Sequence, residues 1–158
     1  MVKGWADTVR AAEERGDWDE AISVISSVAE CDSRNFVRHD AHLWYMDLLA
    51  RAGRLDELAM LAETDRHARR RLGRLLYEEG RDGELRHRAQ HGDKTALYLL
   101  VRLLREQGEQ AAARQAVSEI DETDAYALRL ANEPLARQRA SSGDQMGTTR
   151  DASGRASP

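Results

Sequence analysis

Residues 96–127 read ALYLLVRLLREQGEQAAARQAVSEIDETDAYA, and this stretch decides the fold class. Leu100, Leu103 and Leu104 share one face of a helix, Gly108 interrupts the pattern, and Ala113, Val117 and Ile120 resume it at helical spacing. Two short helices meeting at a glycine are the simplest reading, because a helix C-terminus favours a residue of positive φ.

The same grammar runs through the chain when it is aligned on Gly16, Gly53, Gly80 and Gly108, which lie 37, 27 and 28 residues apart. A double leucine precedes the last three (Leu48 and Leu49, Leu75 and Leu76, Leu103 and Leu104). Downstream, Ala21, Leu58, Leu85 and Ala113 form one equivalent set, and Ile25, Ala62, Ala89 and Val117 a second. Asp65, Asp93 and Asp121 close successive units, each placed to cap the next helix, and Asp17 with Glu20 has capping-box spacing. The spacing predicts helices over 5–15, 18–30, 40–52, 55–63, 66–79, 83–91, 94–107, 110–120 and 124–132. Segment 31–39, CDSRNFVRH, is the extra material that stretches the first glycine spacing.

Composition agrees with an all-α chain. Apolar residues make up 41% and aromatics 5% of 158 residues, so Leu and Ala must build the core, and the two prolines, Pro134 and Pro158, leave residues 1–133 free of that helix breaker. No stretch approaches the roughly 20 apolar residues of a membrane-spanning helix. The N-terminus, MVKGWADTVRAAEERGD, lacks the apolar region of a secretory signal, and Cys31 is the single cysteine. A cytoplasmic location is the expectation. After Pro134 the chain is polar and rich in Ser, Gly and Thr, so a repeat domain over 1–133 and a disordered tail over 134–158 are expected. One such helix pair cannot cover its own apolar stripe, whereas stacked neighbours can, so about four pairs plus a terminal helix are expected to form a right-handed α-solenoid.

GDWDEAISVISSVAECDS (16–33) resembles the glycine-to-second-helix half of a tetratricopeptide repeat, with Ala21, Ile25 and Val28 at its apolar places. Residues 96–127 resemble a full repeat, with Leu100, Leu104, Gly108, Ala113, Val117 and Ile120 in the signature positions. The two central units are shorter than the family's and lack its closing proline; they look more like the short helical-pair repeats found in uncharacterised actinobacterial proteins. The resemblance implies that first-helix residues line an inner surface. Carried over residue by residue, the lining is Trp5, Val9 and Glu13, then Leu43 and Asp47, then His67, Arg70, Arg74 and Tyr77, then Tyr98, Arg102 and Arg105.

Charge singles out the last part of that surface. Residues 1–65 carry 7 basic and 14 acidic groups, residues 66–105 carry 11 and 5, and residues 106–158 carry 6 and 9. Arg70, Arg74, Arg102 and Arg105 beside Tyr77 and Tyr98 are therefore the candidate binding residues, since guanidinium groups fork onto carboxylates or phosphates and tyrosines add rigid contact area. The expected function is an adaptor or scaffold that binds an acidic peptide or partner surface. The alternative is a nucleic-acid-associated regulator using the same arginines, against which stand the net charge of −4 and the lack of a recognisable nucleic-acid-binding motif. The acidic N-terminal third of a second copy could also meet the basic middle.

Catalysis is not expected, since no nucleophile elbow or phosphate-binding glycine motif occurs. Two histidine groupings invite a metal. His87 and His91 stand one turn apart near Asp93, flanked by Arg86 and Arg88, while Cys31, His39 and His42 form a C-x7-H-x2-H set without a second paired ligand. Neither is complete by spacing, so no metal or cofactor is expected.

Overall fold

The computed structural model describes residues 4–134, and within them every regular element is an α-helix. In chain order these are α1 (Trp5–Arg15), α2 (Trp18–Ser26), α3 (Phe36–Arg51), α4 (Leu55–Ala62), α5 (Arg66–Glu78), α6 (Asp82–Gln90), α7 (Lys94–Glu106), α8 (Gln110–Asp121) and α9 (Ala125–Asn132). No helix among the described residues is long and apolar enough to cross a membrane. The expected tail lies outside the described residues from position 135 onward.

Gly16, Gly53, Gly80 and Gly108 all take positive φ, between 68° and 82°. Each makes the same pair of bonds. The glycine N–H returns to the carbonyl three residues back, and the next residue's N–H returns five residues, as in Gly108 N to Arg105 O (3.0 Å) and Glu109 N to Leu104 O (2.8 Å). These satisfy carbonyls that a helix end leaves without partners. Gly92 (φ 92°) repeats the device between α6 and α7, at a position the glycine alignment did not include.

Side-chain caps set the starts of α3, α5, α7 and α9, while α1 begins after Gly4 without one. The Asp65 carboxylate accepts from His67 N (2.7 Å) and Ala68 N (3.4 Å), and Asp93 accepts from Ala96 N (3.1 Å). The third expected cap is displaced. Asp121 still belongs to α8, and Asp124 caps α9 by accepting from Ala127 N at 3.0 Å. The other boundary differences fall between α2 and α3. Helix α2 stops at Ser26, four residues earlier than expected, where the Ser26 and Ser27 hydroxyls bond to the carbonyls of Ser23 and Val24. Helix α3 begins four residues early, because the Asn35 side chain accepts from Val37 N at 3.0 Å.

The aligned apolar sets form the core. Ala21, Leu58, Leu85 and Ala113 are fully buried, as are Ile25, Ala62 and Val117, with Leu100, Leu104 and Ala89 buried beside them. Helices α3, α5, α7 and α9 pack successively against one another, while α4, α6 and α8 each pack beside the first helix that precedes them. Helix α1 packs on α2 and reaches α3 through side chains: the Trp5 and Trp44 rings lie 6.1 Å apart, and Arg51 pairs with Glu13. Gly73, buried in α5, allows close approach of α7, since a Cβ there would lie 3.1 Å from Leu99 Cδ1.

Candidate functional site

The close approach of α5 and α7 sets the basic surface. Arg70 and Arg74 lie exposed one turn apart on α5, and Arg102 is exposed on α7, its guanidinium 5.4 Å from the centre of the Tyr77 ring. Arg70 and Arg102 make no ion pair with a carboxylate among the described residues, whereas Arg74 pairs with Glu78 at 2.7 Å within its own helix. The Tyr77 hydroxyl donates to Glu106, and this bond to a carboxylate holds the phenol above its usual range.

Tyr98 and Arg105 belong elsewhere. The Tyr98 hydroxyl donates to Asp124 at 2.8 Å, and its ring meets Tyr126 edge-on at 4.7 Å. Lys94 adds an ion pair to Asp124 at 3.3 Å, and the Ala127 amide, together with Tyr98 and Lys94, draws the Asp124 carboxyl below the ordinary carboxylate range. Arg105 is 8% exposed and donates to the carbonyls of Leu130 (2.6 Å) and Glu133. It fastens the end of α9 to α7 instead of facing solvent. In sequence it is a periodic arginine like Arg102; what separates the two is the terminal helix lying over Arg105. Of the earlier lining residues, Val9 is fully buried, and Asp47 is held by Arg71 at 3.0 Å.

A second, compact grouping forms where the loop after α2, helix α3 and the start of α5 meet. Cys31 Sγ, a ring nitrogen of His42 and a carboxylate oxygen of Asp65 all lie within 4.8 Å of one another. His42 is 7% exposed, and its Nε2 stands 2.6 Å from Asp65 Oδ2 without an aligned hydrogen bond. The rings of His39 and His42 stand 5.3 and 5.8 Å from that of His67. Burial, followed by the neighbouring Asp65, pushes the Cys31 thiol up, while desolvation is the main cause that lowers the His67 imidazole.

Spacing pointed to Cys31, His39 and His42 but supplied no further ligand. The fold brings in Asp65, which sequence reading placed only as a cap. Its second carboxylate oxygen was the missed signal, because a cap occupies one oxygen and leaves the other free to face His42. The His87 and His91 rings do lie together at 4.4 Å. Asp93, however, spends one oxygen on the α7 cap and holds the other 3.4 Å from Arg88 Nε, so no third ligand joins that pair.

Compared with known proteins, the chain matches no family model, no curated protein and no solved structure.

Proposed function

We propose that the chain is a non-catalytic binding module, a short tetratricopeptide-like stack of helix pairs that receives an acidic peptide or partner surface on α5 and α7. The observation that carries this reading is the exposed set of Arg70, Arg74 and Arg102 on two adjoining helices, with Arg102 lying over the Tyr77 ring. A guanidinium stacked on a ring keeps its fork of donors free for a carboxylate, and the ring limits the freedom lost on binding. Repetition of one turn at four aligned glycines, and the serial packing of α3, α5, α7 and α9, support the repeat reading. Glu78 and Glu106 share the surface, so an incoming carboxylate competes with Glu78 for Arg74. The recognition residues on this reading are Arg70, Arg74, Tyr77 and Arg102. Arg105 and Tyr98 hold the platform from beneath through α9.

The test is a titration of the full chain with a fluorescently labelled peptide rich in Asp and Glu, beside the variant Arg74→Glu with Arg102→Glu. Binding should weaken as salt rises, because exposed charges are screened beyond about 8 Å at 0.15 M. The double variant should lose it. Equal affinity of wild type and variant overturns the reading. A duplex DNA arm that binds more tightly, with a steep logarithmic salt slope, replaces it with nucleic-acid binding.

A further inference from the structure

We infer that Cys31, His42 and Asp65 form a three-ligand binding site for one divalent transition-metal ion of zinc's type, with the fourth position left to water. A thiolate, an imidazole and a carboxylate suit a borderline-soft ion, since hard cations such as magnesium take oxygen ligands. The three ligand atoms already gather within 4.8 Å. Ligands of a tetrahedral ion bound at roughly 2.0–2.3 Å stand about 3.3–3.6 Å apart. Binding therefore asks for shifts of about an ångström: His42 Nε2 and Asp65 Oδ2 open from 2.6 Å, and Cys31 Sγ, 3.9 Å from Asp65 Oδ1, turns toward Oδ2.

The buried His42 nitrogen is the second sign. It lies against a carboxylate oxygen yet makes no hydrogen bond with it.

The surroundings hold the ligands in place. A backbone carbonyl can only accept, so His39 Nδ1 donates to Cys31 O at 2.9 Å and fixes the loop beside α3. Glu30 N bonds to Arg38 O at 3.1 Å, and Arg38 pairs with Glu30, closing the same loop twice more. Asp65 keeps Oδ1 on the α5 cap while Oδ2 faces His42. Anchoring of a ligand through its second oxygen is the support that metal sites use to orient their carboxylates. The 31–39 segment that departs from the repeat spacing supplies the thiol, and the ion would tie the first helix pair to the second and third.

The experiment uses the untagged full chain, stripped with a chelator and titrated with Co²⁺ and then Zn²⁺. One equivalent of Co²⁺ should produce a thiolate-to-metal charge-transfer band and the visible bands of a tetrahedral site, both erased by Zn²⁺, and Zn²⁺ should raise the melting temperature. Cys31→Ala removes a half-exposed thiol whose only hydrogen-bonding contact is long, so it should fold, lose the charge-transfer band and bind Zn²⁺ at least about tenfold more weakly. Asp65→Asn, which can still cap α5, should also weaken binding by about tenfold or more. His87→Ala with His91→Ala should change nothing. Absence of the band in the wild type, or equal Zn²⁺ affinity in Cys31→Ala, overturns the site.

Discussion

The two candidate regions sit toward opposite ends of α5. At its N-terminus, Asp65 joins a partly buried corner whose members come from three separate elements; toward its C-terminus, Arg74 and Tyr77 join an exposed surface shared with α7. In the corner His42 is buried and the Asp65 carboxylate caps α5, so both bear on stability. The surface is solvated, so its charges contribute little to stability. The difference teaches that polar side chains from separate elements converge where segment 31–39 departs from the glycine spacing, and that exposed arginines spread along helices where the spacing is regular.

The largest effect tests the register on which this contrast depends. Leu104 is 3% exposed beside fully buried Leu100, so Leu104→Ala should cost about 2–5 kcal/mol in denaturant unfolding. A loss under about 0.5 kcal/mol breaks the shared register, and the contrast with it. Next, Arg105→Met should cost about 1.5–3 kcal/mol by withdrawing a charged donor from the Leu130 and Glu133 carbonyls. Arg102→Met, one turn away and exposed, should leave the unfolding midpoint nearly unchanged. Equal costs in the two variants would erase the distinction between buried fastener and exposed surface residue.

At the corner, Asp65→Ala should cost about 0.5–2 kcal/mol through the lost α5 cap, and Asp65→Asn much less, because asparagine caps as well as aspartate. Unfolding in the presence of a chelator separates this cap from any effect of metal. Acidification offers a finer test. Asp124 is held below its ordinary carboxylate range by the Ala127 amide, Tyr98 and Lys94, so its contribution is present above about pH 4 and is lost as pH falls through the lowered value. Asp124→Asn should flatten the acid limb of stability against pH, while Asp124 intact should retain it. The smallest effect belongs to the surface. Arg74→Glu with Arg102→Glu should change unfolding free energy by no more than about 0.5 kcal/mol, and a larger loss would mean that these arginines are structural.

What the sequence determined by itself was local. A glycine of positive φ, a double leucine before it and a small or branched residue after it are contacts within a few residues, so Gly53, Gly80 and Gly108, with Leu49, Leu76 and Leu104 before them, set the turns and the buried stripes without reference to the rest of the chain. The helix starts at Trp18, Leu55, Arg66, Lys94 and Gln110 followed from the same short-range chemistry. Failures came where two local signals competed, as at Asn35, whose cap was hidden inside a segment read as loop, and at Asp121, whose place was taken by Asp124. Tertiary structure decided which residues share a site. Cys31 and Asp65 are 34 positions apart, and no periodicity relates a loop thiol to the free oxygen of a helix cap. Arg102 and Arg105 occupy neighbouring turns of one helix, and only the placement of α9 over the second makes one a surface group and the other a buried donor. Side-chain chemistry is carried by the sequence, but burial and convergence are properties of packing, and packing sums contributions from residues that the sequence holds far apart.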